Sequence, residues 1–371
     1  MKNLLIRTVR TMAIIAGLVI PGVLFFLMYL SITEYLPAET EKIENKGKAA
    51  SFPKEQVEFT FLSWNIGYGG QGKDMDFFYE GGERVRPEKE EFYTCLKGIQ
   101  ATLGKFDTLD FILLQELDID SKRSYFTDEI KVIDRLFGEY SYAFAKNYDC
   151  RFIPIPPLDP IGRVVAGLAL FSKYEPLNVE RDAYTANFSW PKRLVFLKRC
   201  FMVMRFPVGN NKEFVIINTH NSTFDKGGAL KKSEFARLNA FMTSEFRKGN
   251  YVVAGGDWNN NPRGFLPGLI NSGDPARTID TPIDAGFLPG WEFVFDSSLP
   301  SNRDVDTPYI KGKTKTTIID FFVVSPNVKV KLIRTISAGF EYSDHNPILM
   351  KAELINSKGA KEQSGEKTTI R

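Results

Sequence analysis

Cysteine is scarce in this chain. Cys95, Cys150 and Cys200 are its three; an odd number cannot fully pair, and their spacing matches no metal motif. A disulfide framework is therefore not indicated, and buried free thiols are the expectation. An excess of charge of one sign is missing too. Lys and Arg number 48 against 45 Asp and Glu, for a formal net charge of +3. The total thus carries no strong attraction to nucleic acid, although a local basic groove stays open. Histidine is scarcer still, with His220 and His345 alone. Both sit in polar stretches beside apolar runs, "INTHN" and "YSDHNP", which raises the question of whether they share a site. The rest is ordinary: 43% hydrophobic and 25% charged residues among 371 suit one large domain or two small ones with a useful core. No internal repeat stands out.

The N-terminus holds a long apolar run. Met12–Ile32 carries no charge and is long enough to span a bilayer as a helix, even with Pro21 inside. Lys2, Arg7 and Arg10 precede it, and Glu34, Glu39 and Glu41 follow. The positive-inside rule then puts the N-terminus in the cytosol and the remainder outside the cytoplasm. A cleaved signal peptide is the competing reading. The run is long for one, and no small-x-small site follows closely, so a retained single-pass membrane anchor is favoured. Residues 1–36 thus read as stub and anchor. Residues 37–56, polar and charged, read as a linker tethering the domain at 57–356, and 357–371 as a flexible tail. No protein partner is expected.

Between these ends, "EFTFLSW", "FILLQE", "GLALFSK", "CFMVMRF", "FVIINTH", "YVVAGGD", "IIDFFVV" and "PILMKAEL" read as strands: short, β-branched or aromatic, and bounded by turn residues. Helices fall between some of them. After Pro87, which suits a first helical turn, Phe92, Leu96, Ile99 and Leu103 share one face. Phe235, Leu238, Met242 and Phe246 do the same further on, with Gly249 as the stop. Such a mixture argues for a layered α/β or α+β architecture.

The chemistry lies where strands end. "FLSWN" ends in Asn65, "FILLQE" in Glu116, "FVIINTH" in Asn218 and His220, and "YVVAGGDWN" in Asp257 and Asn259. "IIDFF" carries Asp320, and "YSDHNPI" presents Asp344 and His345 before a strand. A lone strand-ending Asp or Asn is usually a turn former. Several such ends on one side of a sheet can instead converge on a cleft. Carboxylates and amides are hard oxygen ligands suited to Mg²⁺, or to Mn²⁺, rather than to a structural zinc. Such an ion neutralises a phosphate, and two imidazoles, oriented by carboxylates, supply proton transfer.

The ordered set "SWNIG", "LLQEL", "INTHN", "GGDWNNNP", "TIIDFF" and "YSDHNP" resembles the endonuclease/exonuclease/phosphatase superfamily, whose fold is that of DNase I. The resemblance spans about residues 57–354. It implies a four-layer sandwich of two packed β-sheets with helices outside and a site at one edge. It implies Glu116 as the main Mg²⁺ ligand beside Asn65, and Asp344 as a carboxylate for the metal or for histidine positioning. Asp257 and Asn259 would position water and phosphate. His345, backed by Asp320, would contact phosphate or activate water, the base being either Asp or His. His220 would be the general acid for the leaving oxygen. The apurinic-site repair branch usually lacks that histidine, whereas the DNase-like, sphingomyelinase-like and inositol-phosphatase-like branches have it. One departure is the absence of a clear glutamate to orient His220; Asn147 or Asp149 can serve, or "AKNYDC" is simply a polar turn. Asn218, Asn147 and Arg123 are the expected substrate contacts. The implied substrate is a phosphodiester, either nucleic acid or a phospholipid head group. A binding module that kept the fold, or a phosphatase of small phosphate esters, are the alternatives.

Three further stretches carry weaker signals. The glycine-rich 67–87 reads as an ordinary loop, with a mobile cover over the cleft as the sharper reading. Lys122 and Arg123 follow Glu116 closely enough to meet phosphate, although such a pair is commonly solvated surface. Apolar residues such as Ile153, Ile155, Phe265, Phe287 and Trp291 can meet lipid; packing beneath long loops is the favoured reading.

Overall fold

The computed structural model describes residues 2–355 apart from 54, 224, 226, 271 and 280–282. The expected tail, 357–371, lies outside the described residues. Two seven-stranded sheets make the body. The first runs, edge to edge, Val328–Thr335, Ile348–Leu354, Glu58–Asn65, Phe111–Asp118, Gly162–Ser172, Ser141–Ile153 and Lys46–Gly47. The second runs Thr40–Lys42, Asn178–Ala183, Cys200–Pro207, Glu213–His220, Tyr251–Asp257, Asp320–Val324 and Glu292–Val294.

Side-chain alternation explains the layering. In Phe111–Asp118, Phe111 and Leu113 enter the core between the sheets, while Ile112 and Leu114 point the other way, under Ile99 and Leu103 of helix Lys89–Leu103. In Tyr251–Asp257, Val253 faces the shared core, and Val252 and Ala254 face Leu238 and Met242 of helix Ala229–Arg247. Strands covered on both faces read as unbroken apolar runs. Helix, sheet, sheet, helix is the four-layer order expected, and the fold is DNase I-like.

Helix Lys89–Leu103 opens with a capping box between Glu88 and Glu91, so Pro87 stands just ahead of the cap rather than inside the first turn. Helix Ala229–Arg247 stops before Gly249, whose φ is +83°. Strand Val328–Thr335 has no apolar run because one face is wet at the sheet edge. The expected apolar packing is divided. Ile153, Phe287 and Trp291 are buried, Phe265 is half-buried, and Ile155 is exposed.

The segment expected to be a free linker, 37–56, is instead laid on the domain. Thr40–Lys42 pairs with Asn178–Ala183, and Lys46–Gly47 pairs with Ser141 and Tyr142. Phe52 plugs the core, its ring stacked at 5.3 Å on Phe59 and 5.2 Å on Phe206. Polar composition is compatible with this because edge strands keep one side in water. Ahead of it, helix Lys2–Ile32 is long and apolar enough over Leu4–Ile32 to cross a membrane.

One ionic cluster outside the cleft predicts a pH-dependent stability. Glu245 accepts from Arg205 at 2.9 and 3.2 Å, from Lys248 at 2.7 Å and from Asn250 at 2.8 Å. Burial pushes its pKa up, but these partners outweigh burial and hold it at about 2. A depressed carboxylate stabilises the fold above its unfolded pKa and loses that contribution as pH falls toward the folded value. With solvent screening discounted, Glu245→Gln is expected to cost about 1–2 kcal/mol at pH 7. Urea titrations should show the gap closing below about pH 4.

Candidate active site

Register brings the polar residues of the second sheet into one row. Parallel pairing sets His220 opposite Asp257, and antiparallel pairing sets Asp320 on its other side. The two glycines before Asp257 permit this closeness: Gly256 has φ +145°, and a Cβ there would collide with the Thr219 carbonyl oxygen. From the first sheet, Asn65 ends its strand beside Gln115. The next residue, Glu116, falls in a bulge between Leu114 and Leu117 and takes φ +56°. A bulge of this kind re-aims a side chain, and here it turns Glu116 to the cleft. Asn65 Nδ2 donates to Glu116 Oε1 at 3.2 Å and across the sheets to Asp257 Oδ2 at 3.0 Å.

His345 enters from the turn before Ile348–Leu354. Its main chain is fixed by the Trp64 indole, which donates to His345 O at 2.9 Å. Ring Nδ1 lies 2.7 Å from Asp320 Oδ2, which also accepts from Ser301 Oγ at 2.7 Å. Ring Nε2 lies 3.8 Å from Asp257 Oδ2 and 3.7 Å from Asp344 Oδ2. Burial alone would lower the His345 pKa, but Asp320, Asp344 and Asp257 raise it well above the usual range. These three carboxylates favour the protonated ring.

Asn259 turns back on Asp257: its N–H donates to Oδ1 at 2.8 Å and its Nδ2 to Oδ2 at 3.2 Å. His220 Nε2 lies 3.4 Å from Asp257 Oδ2 and 3.7 Å from Glu116 Oε1. Its Nδ1 is buried with no hydrogen-bond partner among the described residues. Neither expected orienter serves: Asp149 is taken by Lys146 at 2.7 Å, and Asn147 lines the cleft without a bond to His220. Burial, Arg199 and His345 push the His220 pKa well below its usual value, so the ring is neutral at neutral pH.

Of the expected substrate contacts, Arg123 and Asn147 line the cleft and Asn218 does not. Asn218 is fully buried two residues back from the edge. It donates to Leu114 O and Ala169 O at 3.0 and 2.8 Å and accepts from Gln115 at 2.7 Å. It stitches the two sheets together and does not face the cleft. Arg123 does line the cleft, but pairs with Asp118 through two 3.0 Å bonds and stacks 3.7 Å over the Tyr68 ring. The loop at 67–87 supplies cleft wall through Tyr68, Gln71, Phe77, Tyr79 and Glu80. Sequence reading missed Ser301 and Asn302; Asn302 Nδ2 sits 3.1 Å from His345 Nε2. Ser301 lies in a bend and Asn302 in the two-residue strand Asn302–Arg303, with no sequence pattern to mark either.

The cleft encloses about 630 Å³. Glu116, Asp257, Asp320 and Asp344 all have raised pKa values, first because they are buried; Asp257 reaches about 6. Neighbouring carboxylates add to the rise, and Asp320 Oδ1 has no hydrogen-bond partner among the described residues. Donor atoms of Asp257, Asp320 and His345 fall within 4.8 Å of one another. Apart from that cluster, Glu116 lies close enough to Asp344 to push the Asp344 pKa up; such crowded oxygen donors fit a divalent cation, which relieves their repulsion.

Paired sheets that bring acids, an amide and imidazoles to one edge define a phosphate-ester hydrolase of DNase I-like fold. The chain belongs to the Endonuclease/Exonuclease/phosphatase family, whose model matches residues 62–345. Among solved structures it is similar to an endonuclease/exonuclease/phosphatase from Beutenbergia cavernae, at 13% identity and TM-score 0.51, covering 81% of this chain and 73% of that one. It is also similar to ANGEL2, a 2',3'-cyclic phosphatase, at 14% identity and TM-score 0.52, covering 84% of this chain and 98% of that one. At such identities these likenesses speak to fold. No curated protein matches the chain in sequence.

Proposed function

We propose that the protein is a membrane-tethered, Mg²⁺-dependent phosphodiesterase whose domain lies outside the cytoplasm. Its substrate class is nucleic acid or a phospholipid head group. The observation that carries this reading is the Asp320–His345 pair at 2.7 Å, facing Asp257 and, across the two sheets, Asn65 and Glu116. Glu116, Asn65 and Asp344 would hold the ion, with Mn²⁺ as the substitute. When bound, it supplies neutralisation of phosphate charge and polarisation of P–O bonds.

The chain's own groups perform the rest. Asp257, ionised in most molecules at neutral pH and steadied by Asn259, accepts the proton of the attacking water. The His345 imidazolium, held by Asp320, stabilises the charge that builds on the phosphate and passes its Nε2 proton to the leaving oxygen as the P–O bond breaks. His220, lacking an acceptor at Nδ1, acts as a neutral donor through Nε2–H and not as the general acid expected from sequence. His220→Ala is therefore expected to slow diesters with alkyl and nitrophenyl leaving groups in parallel, by about 10–10²-fold. A steeper loss on the alkyl leaving group would restore the general-acid role.

The test is hydrolysis of bis-nitrophenyl phosphate and plasmid DNA by the full chain in detergent, with and without Mg²⁺. The expected result is metal-dependent diester cleavage that Asp257→Ala abolishes. Cleavage of phosphate monoesters alone would point to a small-ester phosphatase, and cleavage of neither to a binding module.

A further inference from the structure

The apolar helix is not loosely joined to the domain. Leu30 is 3% exposed, and Phe26 meets Phe152 edge-on at 6.1 Å. The Trp190 indole donates to Ser31 Oγ at 3.3 Å. Just past the helix, Glu34 binds Lys198 at 2.6 Å and Arg193 at 3.4 Å with its side chain 4% exposed. The next residue, Tyr35, reaches Lys146 O at 3.4 Å with its hydroxyl and takes the Lys146 ammonium 4.2 Å above its ring. Helix end and domain therefore form one unit.

This docking fixes a depth. No charge occurs between Arg10 and Glu34, and the helical part of that run is about 33 Å long, close to the hydrocarbon thickness of about 30 Å. Phe26 then lies about 9 Å inside the outer end of the span. Whatever touches Phe26 and Ser31 sits at the boundary of acyl chains and head groups. Around these contacts the domain exposes Phe152 (39%), Ile155 (37%), Leu158 (101%) and Trp190 (53%). Lys192 and Arg193 are exposed beside Trp190. Aromatic and aliphatic tips flanked by basic groups are the composition of a lipid interface. The same two segments wall the cleft, through Ile153 on one side and Phe188, Lys192 and Phe196 on the other.

We infer that the loops at 152–158 and 186–196 form a rim that inserts into the outer membrane leaflet, so that the cleft opens on the head-group layer and takes the phosphodiester of a lipid still seated in the bilayer. This assignment rests on the phosphodiesterase reading above and narrows its substrate. It also gives the exposed Ile155 a partner.

Trp190 provides a test of the surface that needs no activity. The other three tryptophans, Trp64, Trp258 and Trp291, are buried. Full-length protein is reconstituted in phosphatidylcholine–phosphatidylglycerol vesicles, with or without bromine near the head-group end of the acyl chains. Loss of emission with brominated lipid, abolished by Trp190→Phe, is expected; unchanged emission overturns the inserted rim. Release of head groups from the same vesicles is then compared with hydrolysis of bis-nitrophenyl phosphate. The double variant Leu158→Ser/Trp190→Ser is expected to lose about tenfold or more on vesicles and nothing on the soluble diester. Equal losses on both, or cleavage of DNA without head-group release, overturn the lipid assignment. A wild type inactive on every diester removes the phosphodiesterase reading and the lipid substrate with it, while the quenching result still decides the rim.

Discussion

Asn in place of Asp257 is expected to lower phosphodiester hydrolysis by about 10³-fold or more, with the fold retained. The size follows from position. Asp257 meets both sheets: it pairs in register with His220 and Asp320 and accepts from Asn65 across the interface at 3.0 Å. Its two oxygens also accept from Asn259. An amide keeps the shape but cannot take a proton from water, and it turns an acceptor into a donor facing the Asn65 and Asn259 amides. It also removes one of three carboxylates that keep His345 protonated. Rates with a soluble diester, together with unfolding curves, check the claim; a loss below about tenfold would remove Asp257 from proton transfer.

The second large effect concerns Glu116 and has two opposite parts. Glu116→Gly is expected to abolish tight divalent-cation binding and to slow hydrolysis by about 10²-fold or more. The metal-free fold should nevertheless gain about 1 kcal/mol or more. The native residue holds φ +56° in a bulge, a conformation glycine adopts without strain, and its carboxylate has a raised pKa because it is buried. Mn²⁺ binding followed by electron paramagnetic resonance reads the first part without any turnover, and urea denaturation reads the second. A variant that binds Mn²⁺ as tightly as wild type would take Glu116 out of the metal centre.

What was legible in the sequence depended on whether a signal was local. "YVVAGGD" and "FVIINTH" announce strands ending in polar residues, and parallel pairing alone then sets Asp257 beside His220. The helix faces at Phe92–Leu103 and Phe235–Phe246 were legible for the same reason, since a period of 3.6 needs no partner. The Glu116 bulge was not, because a register slip exists only relative to strand Gly162–Ser172. Asn218 was misplaced because sharing a strand face with His220 does not say how far the opposite sheet overhangs. The segment 37–56 looked like free linker because edge pairing leaves little apolar trace, and only Phe52 hinted at burial. Ser301 and Asn302 come from a bend and a two-residue strand whose course is set by tertiary contacts.

The last strand, Ile348–Leu354, lies inside the first sheet, between Val328–Thr335 and Glu58–Asn65, and His345 arrives with it. Strand order thus works as a timing device during biogenesis. A chain emerging from the ribosome has its Asn65, Glu116, His220 and Asp257 long before the keystone strand is available. Until that strand inserts, the His345 imidazole is missing from the site. A chain truncated ahead of His345 and that strand is expected to lack hydrolytic power, because the imidazole goes with them.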